Sequence, residues 1–144
     1  MISPIQVLLV EDNPGDARLA REALADDKLR LEVIEAHDGE AAIETLRGAN
    51  RSEQGRLPDL ILLDLNLPRK DGREVLAEIK ESEEWKHIPV VVLTSSKAEE
   101  DILATYQLHA NSYITKPIDL TQMQRVVNEI KDFWFTIVRL PSER

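Results

Sequence analysis

The stretch Asp59-Leu60-Ile61-Leu62-Leu63-Asp64-Leu65-Asn66-Leu67-Pro68 decides the fold. Its four consecutive branched apolar residues, at 60–63, suit a strand that is buried on both faces of a parallel sheet. Asp64 would end that strand, because Pro68 and Gly72 soon require a loop. In open α/β sheets, ligands bind at this edge. Asp64 is therefore either a plain turn residue or a carboxylate that is paired, metal-bound or solvated at a binding edge.

Composition and charge narrow the class of protein. The 144 residues suffice for one domain, predicted as a core over about 5–135 with a C-terminal tail over 136–144. A net charge of −9 disfavours direct binding to nucleic acid and suits a site that gathers metal cations. The lack of cysteine excludes disulfides and thiolate metal sites. Neither a membrane-length apolar run nor a signal sequence is visible, so we expect a cytoplasmic protein that does not bind membranes.

Short apolar runs alternate with amphipathic segments on both sides of the opening stretch. Strands are predicted at 5–10, 31–36, 60–64, 88–93 and 111–115. Helices are predicted at about 14–27, 41–46, 72–82, 98–107 and 119–135. The polar segment from Gly48 to Pro58 predicts an exposed loop. Five strands alternating with five helices predict a doubly wound parallel sheet of the flavodoxin-like type, in the order 2-1-3-4-5.

Three details refine this prediction. Asn13 is the predicted N-cap of the first helix, with Pro14 at its first position. Asp119 is the predicted N-cap of the last helix, and Gln122 completes a capping box. The second strand alternates partly between apolar and polar residues, so we expect it near an edge of the sheet.

Polar side chains collect where four of the predicted strands end. Glu11 and Asp12 follow the first strand, Asp64 ends the third, Thr94 follows the fourth and Lys116 follows the fifth. Any one of them could be a helix cap, but the carboxyl ends of parallel strands share one edge. Clustered carboxylates repel one another unless a cation joins them, and oxygen ligands select Mg²⁺ or a similar ion. Such a cluster, with an ammonium and a hydroxyl beside it, is suited to receiving a phosphoryl group on one carboxylate.

Four short segments occur in order at these strand ends. They are Val-Glu-Asp at 10–12, Leu-Asp-Leu-Asn-Leu-Pro at 63–68 with Gly72, Leu-Thr-Ser at 93–95, and Tyr-Ile-Thr-Lys-Pro at 113–117. Together they resemble the receiver domain of two-component response regulators, over Val7 to about Ile130. The resemblance implies that Asp64 is the phosphoacceptor for a sensor histidine kinase. It also implies a signalling protein that catalyses only its own phosphorylation and dephosphorylation, and is otherwise not an enzyme.

The resemblance further implies a Mg²⁺ site. Asp12 and Asp64 would bind the metal directly, and Glu11 would hold metal-bound water. The main-chain carbonyl of Asn66 would be a further ligand.

Roles also follow for the remaining side chains of this edge. Lys116 would bind the phosphoryl group, and its peptide bond to Pro117 is expected to be cis. Thr94 and Tyr113 match the switch pair of the family, in which the hydroxyl moves towards the phosphoryl group and the ring turns inward.

A narrower resemblance links the chain to small regulators paired with bacterial phytochrome histidine kinases. It rests on Val-Glu-Asp-Asn-Pro-Gly-Asp at 10–16, Leu-His-Ala-Asn-Ser-Tyr-Ile-Thr-Lys-Pro at 108–117 and the aromatic run 133–135. That aromatic run and the β-prone tail over 136–141 favour a homodimer through the fourth helix, the fifth strand, the fifth helix and the tail. Packing of the same residues onto their own domain is the alternative explanation.

Three functions are compatible with these observations. The first is a stand-alone receiver that signals by contact with an unidentified target protein, and the second is a receiver-like adaptor that works without phosphorylation. The third is a phosphohydrolase with an aspartate nucleophile. Such hydrolases use Asp-x-Asp, whereas the second position here is Asn66, which cannot transfer the protons that turnover needs. Neither a G-x-G-x-x-G nor a P-loop signature supports nucleotide binding. The sequence favours the stand-alone receiver.

Overall fold

The computed structural model describes residues 5–25, 31–51, 56–94, 98–99, 110, 112–117 and 119–136, without the side chains of 50, 51, 112 and 131–136. The described strands and helices are β1 Ile5–Val10, α1 Pro14–Ala25, β2 Leu31–Ala36, α2 Gly39–Arg51, β3 Leu60–Asp64, α3 Gly72–Glu81, β4 Val90–Thr94, β5 Ser112–Thr115 and α4 Leu120–Thr136. No helix in these described ranges is both long and apolar enough to cross a membrane.

The five strands form one parallel sheet in the order β2-β1-β3-β4-β5, so the predicted topology is confirmed. β2 is an edge strand, as its partly alternating pattern predicted. The central strand β3 lies between β1 and β4, with Leu63 beside Val10 on one side and Asp64 beside Leu93 on the other. The residues that follow β1, β3 and β4 therefore emerge side by side at one edge.

Helices cover both faces of the sheet, which explains the unbroken apolar run of β3. Ile61 and Leu63 pack with α2 and α3 in one core cluster. Leu60 and Leu62 pack with α1 and α4 in the other. Successive residues of a strand point to opposite faces, so a strand covered on both sides needs apolar residues at every position. Each such buried leucine or isoleucine contributes about 2 kcal/mol of hydrophobic stabilisation.

Three helices begin at caps that lie at the carboxyl edge of the sheet. Asn13 Oδ1 accepts the N–H of Asp16 at 3.0 Å, and Asp119 Oδ1 accepts the N–H of Gln122 at 2.8 Å, so both predicted N-caps are confirmed. Asp71 caps α3 in the same manner. These caps pair N–H groups that the first helical turn leaves without partners.

The predicted exposed loop over Gly48 to Pro58 is wrong at both of its ends. α2 continues to Arg51. A glycine inside a helix costs about 1 kcal/mol, which good helix formers on either side of Gly48 offset. At the other end Pro58 is buried and Leu57 packs against the core. Residues 52–55 lie outside the described residues.

β4 begins at Val90, two residues later than predicted. The N–H of Ile88 donates to Trp85 O at 2.9 Å and so belongs to the preceding turn, while Pro89 has no N–H to give to a ladder. Pro89 still contributes its carbonyl oxygen, which accepts the N–H of Ile61 at 2.9 Å.

Several predictions fall outside the described residues. Of the helix predicted over 98–107, only residues 98 and 99 are described, and they are helical. The tail over 137–144 and the side chains of the aromatic run 133–135 are likewise outside.

Candidate functional site

Asp64 is the last residue of β3 and is buried, with 3% of its surface exposed. Its Oδ1 accepts the main-chain N–H of Asn66 at 3.3 Å. Its Oδ2 lies 3.2 Å from the ammonium of Lys116. Hydrogen bonds to a carboxylate are normally about 2.7–2.9 Å long, so these two contacts are weak. A buried carboxylate with weak contacts retains the capacity to bind another group.

Glu11, Asp12 and Asp64 bring one carboxylate oxygen each to within 4.8 Å of the others. Glu11 and Asp64 are buried, whereas Asp12 is exposed. Two oxygens on opposite sides of one Mg²⁺ lie about 4.2 Å apart and neighbouring ones about 3 Å apart, so carboxylates this close together can share one ion directly or through a bound water. The donor set, all carboxylate oxygen, is the kind that Mg²⁺ and similar hard cations prefer. The three acids therefore fit the predicted divalent metal.

Glu11 is placed by its own backbone and by its neighbours. Its N–H donates to Ala36 O at 3.0 Å, which continues the pairing of β1 with β2 by one residue. Its carboxylate accepts the N–H of Asn13 at 3.2 Å and contacts Lys116 Nζ at 2.9 Å. Burial is the largest cause of a pKa of Glu11 that is raised to about 7; nearby Asp64 also raises this pKa, while Lys116 and the Asn13 N–H lower it in part. A divalent cation at this point would compensate for the buried charge.

Lys116 stands at the centre of the acidic cluster. Its Nζ lies 2.8 Å from Asp16, 2.9 Å from Glu11 and 3.2 Å from Asp64. Burial alone would lower the pKa of this ammonium, but its hydrogen bonds to Asp16 and Glu11 and the charge of Asp64 outweigh burial and raise the pKa. Lys116 therefore stays protonated at neutral pH and presents a fixed positive charge beside Asp64.

The expected cis bond between Lys116 and Pro117 is wrong, because the structure contains no cis peptide bond there. The main-chain N–H of Lys116 donates to Thr94 O at 2.7 Å, and the side chain reaches the acids with the bond in the trans form. A trans bond before proline is also the form of lower energy, by about 0.5–1 kcal/mol.

The two residues of the predicted switch pair occupy different surroundings. Thr94 ends β4 and is completely buried, and its hydroxyl donates to Ile114 O at 3.4 Å. Tyr113 is half-buried, and its phenol oxygen accepts the N–H of Ala110 at 3.3 Å. Its ring packs at the margin of the core cluster that contains α2 and α3. The structure thus brings Thr94 to the edge beside Asp64 and places Tyr113 on β5.

The structure adds Asp16, which sequence reasoning did not include among the site residues. Asp16 lies in the first turn of α1 and makes the shortest of the contacts to Lys116. Its position three residues after the N-cap Asn13 could have indicated it, since the first turn of α1 begins at the same edge as the acids.

Comparison with known proteins gives a consistent result. Residues 7–128 match the family model described as the response regulator receiver domain. Response regulator Rcp1 of Synechocystis sp. is 48% identical over 139 residues, which cover 96% of this chain and 95% of Rcp1. The crystal structure of the phosphorylated cyanobacterial phytochrome response regulator RcpA has a TM-score of 0.84 at 49% identity, over 96% of this chain and 99% of RcpA. The crystal structure of the Mn²⁺-bound form of Rcp1 has a TM-score of 0.81 at 48% identity, and the match covers 96% of this chain and 99% of the Rcp1 chain.

Proposed function

This chain belongs to the response regulator receiver family, and on that premise we propose that Asp64 is its phosphoacceptor. A receiver domain is a signalling module of a two-component system and implies a histidine kinase as its partner. In the proposed step an oxygen of Asp64 attacks the phosphorus of a phosphohistidine. The bond between phosphorus and the imidazole nitrogen breaks, and that nitrogen retains the electron pair. The product is an acyl phosphate on Asp64.

The observation that carries this proposal is the state of Asp64 itself. It is buried, weakly hydrogen-bonded and surrounded by acids, yet it lies 3.2 Å from a protonated lysine. A carboxylate kept for stability alone would be expected to have short, complete contacts. Electrostatic repulsion between the carboxylates at this edge is expected of a site that binds a cation and a phosphoryl group.

The other residues of the cluster have distinct proposed tasks. Glu11, Asp12, Asp64 and the carbonyl of Asn66 would hold Mg²⁺, which when bound neutralises charge on the phosphoryl oxygens. Lys116 would exchange its contact with Asp16 or Glu11 for a contact with a phosphoryl oxygen. Its ammonium already contacts Asp16, Glu11 and Asp64.

Thr94 and Tyr113 are proposed to respond to the new phosphoryl group. The Thr94 hydroxyl would give up its long bond to Ile114 O and donate to the phosphoryl group. Tyr113 directly precedes Ile114 on the neighbouring strand, so that rearrangement would occur next to it in the chain. This is a local change at β4 and β5 that biases the surface around them.

Asn66 favours a long-lived acyl phosphate over continuous turnover. Its side chain is exposed at the position where an aspartate-nucleophile hydrolase has its second aspartate. An amide can neither protonate a leaving group nor activate water, so we propose signalling rather than phosphohydrolase activity.

The kinase is proposed to be of the phytochrome type, on the strength of the likeness to RcpA and Rcp1. A cytoplasmic location and signalling by contact with a target protein remain predictions. So does the homodimer through the helix predicted at 98–107, β5, α4 and the tail. Light scattering at rising protein concentration, with and without a phosphoryl mimic, tests the dimer, which a constant monomer mass would exclude.

Intact-mass spectrometry after incubation with acetyl phosphate and Mg²⁺ tests the proposed function. The natural chain should gain one phosphoryl group, and neither Asp64→Asn nor the natural chain in EDTA should gain it. Asp59→Asn is the matched control, because Asp59 is a buried aspartate at the other end of the same strand and should leave the gain intact. A folded natural chain that binds Mg²⁺ but gains no mass would instead support the phosphorylation-independent adaptor.

A further inference from the structure

The loop between β3 and α3 carries Asn66, and its base is tightly closed. The N–H of Gly72 donates to Leu65 O at 3.0 Å. A Cβ placed on Gly72 would lie 2.6 Å from the carbonyl oxygens of both Asp64 and Leu65. Real Cβ atoms essentially never approach so closely, so only glycine fits at this point. The two ends of the loop are therefore fixed to each other.

The far side of the same loop rests on a second glycine, at the beginning of α2. A Cβ placed on Gly39 would lie 2.0 Å from Lys70 O, 2.7 Å from Lys70 Cβ and 2.8 Å from Lys70 C. Gly39 is buried, and its φ is not positive. The requirement for glycine there is therefore one of space and not of backbone conformation, and it comes from the Lys70 backbone.

The loop also contains a residue in an unfavourable conformation. Arg69 has a φ of 66°, in the left-handed region that side chains other than glycine rarely adopt. Such a conformation costs about 1–2 kcal/mol and persists only where the surroundings impose it. The guanidinium of Arg69 is mostly exposed and lies 3.9 Å from Asp38, which is too distant to hold the backbone. The close packing of Lys70 on Gly39, one residue later, is a contact that can help to impose it, together with the closure of the loop at Gly72.

We propose that Gly39 is a positioning residue for the metal site. By lacking a side chain it lets the Lys70 backbone lie against α2, and this contact fixes the loop so that Asn66 stays beside Asp64. The loop is short and closed at Leu65 and Gly72, so a displacement of Lys70 must be absorbed by residues 66–69 and by Asp71. The N–H of Asn66 lies 3.3 Å from Asp64 Oδ1, so a displacement of Asn66 would alter a direct contact of Asp64. This inference rests on the proposed role of the Asn66 carbonyl as a metal ligand.

Gly39→Ala tests the inference, with Gly48→Ala as the matched control on the same helix. A Cβ on Gly48 would meet no atom within 4 Å, so that variant makes the same chemical change without touching the loop. Mg²⁺ affinity is measured by isothermal titration calorimetry on folded protein, and the unfolding free energy separately in EDTA. We expect Gly39→Ala to weaken Mg²⁺ binding by about 10-fold or more, as does loss of other residues that orient metal ligands. Gly48→Ala should leave the affinity unchanged.

A purely structural role for Gly39 would have a different signature. The unfolding free energy of Gly39→Ala in EDTA would fall while the Mg²⁺ affinity of the folded variant matched that of the natural chain. That result would overturn the inference. Failure of the natural chain to bind Mg²⁺ would overturn the proposed metal site as well, so the two failures are distinguishable.

If Gly39→Ala does not fold, substitutions of Lys70, the partner of Gly39 in this contact, test the inference instead. Lys70→Ala retains the Cβ that packs on Gly39 and removes the rest of the side chain, including the ammonium that pairs with Glu78 at 2.6 Å. Lys70→Gly removes the Cβ as well and loosens the loop backbone. We expect Lys70→Gly to weaken Mg²⁺ binding by about two- to fivefold relative to Lys70→Ala, because part of the ordering of the loop then accompanies metal binding. Equal affinities of these two variants would contradict the inference.

Discussion

Two buried aspartates mark the two ends of β3: Asp59 directly precedes the strand, Asp64 is its last residue, and the contacts that compensate their charges differ. Asp59, 7% exposed, accepts the N–H of Gln6 at 2.9 Å and pairs with Arg56 at 2.5 Å. Its own N–H donates to Gln6 O at 2.8 Å, so it joins β3 to β1 in both directions. Asp64, 3% exposed, lies 3.2 Å from Lys116 Nζ and 3.3 Å from the Asn66 N–H, adjoins the carboxyl group of Glu11, and shares its lysine with Glu11 and Asp16.

Burial is therefore a poor guide to function in this molecule, and the completeness of the contacts is a better one. At the amino edge, the charge of Asp59 is compensated by short contacts with Gln6 of β1 and with Arg56. Asp64 lies at the carboxyl edge among acids that stabilise the fold only when a cation joins them. The same residue type, on the same strand, thus serves the fold at one end and the proposed chemistry at the other.

The largest expected effect is a pH dependence of stability that arises from Glu11 at the carboxyl edge. The pKa of Glu11 is raised from 4.5 to about 7, so the folded state holds its proton more tightly than the unfolded chain does. The contribution of Glu11 to stability is complete below pH ~4.5 and is lost as pH rises through ~7, by on the order of 3 kcal/mol. Urea unfolding in EDTA should show that the unfolding free energy of Glu11→Gln, relative to that of the natural chain, increases as the pH rises from ~4.5 to ~7. A constant difference between the two proteins from pH 4 to 8 would contradict this.

Removing the charge at the amino edge should destabilise the fold. Asp59→Asn leaves the guanidinium of Arg56 without its carboxylate, and the side chain of Arg56 is 33% exposed, so water compensates in part. We expect a loss of about 2 kcal/mol in the unfolding free energy, below the range for a wholly buried pair. Chemical denaturation measures it. A loss of the phosphoryl gain in folded Asp59→Asn would show that the two ends of β3 are not separate in function.

The same substitution at the carboxyl edge should have the opposite sign. Asp64→Asn removes one of the clustered charges, and in EDTA we expect a gain of about 1 kcal/mol in the unfolding free energy. Added Mg²⁺ should stabilise the natural chain more than the variant, since it binds the folded state through these acids. Thermal unfolding with and without Mg²⁺ checks both expectations. Destabilisation in EDTA comparable to that of Asp59→Asn would mean that Asp64 serves the fold.

The smallest expected effect is at Asp16, on the margin of the cluster. Its side chain is 38% exposed, and Lys116 has two other acidic partners. Asp16→Asn should therefore change the unfolding free energy by less than about 1 kcal/mol and leave the phosphoryl gain in place. If intact-mass spectrometry showed no phosphoryl group on Asp16→Asn, Asp16 would be required for phosphorylation.

The fold and most of the site could be predicted from sequence because they depend on local patterns combined with parallel topology. Apolar runs located the strands, and the shared edge of parallel strands placed Glu11, Asp64, Thr94 and Lys116 together. The N-cap at Asn13 follows from side chains that bond to the nearest turn of backbone. These inferences needed no knowledge of how the helices pack.

What could not be predicted depends on contacts between segments distant in sequence. The need for space at Gly39 comes from Lys70, more than a helix away along the chain. The raised pKa of Glu11 comes mainly from burial by neighbours that no motif specifies. The bond before Pro117 was wrongly expected to be cis because that expectation came from resemblance and not from the residues around it.

The most direct test of the central claim is to locate the phosphoryl group within the chain. After incubation with acetyl phosphate and Mg²⁺, borohydride reduces an acyl phosphate to the corresponding alcohol, and peptide mass spectrometry then identifies the reduced residue. We predict reduction at Asp64 and at no other carboxylate, including Asp59 on the same strand and Asp12 in the same cluster. Reduction at Asp12 or Asp59, with Asp64 unchanged, would contradict the assignment of Asp64 as the phosphoacceptor.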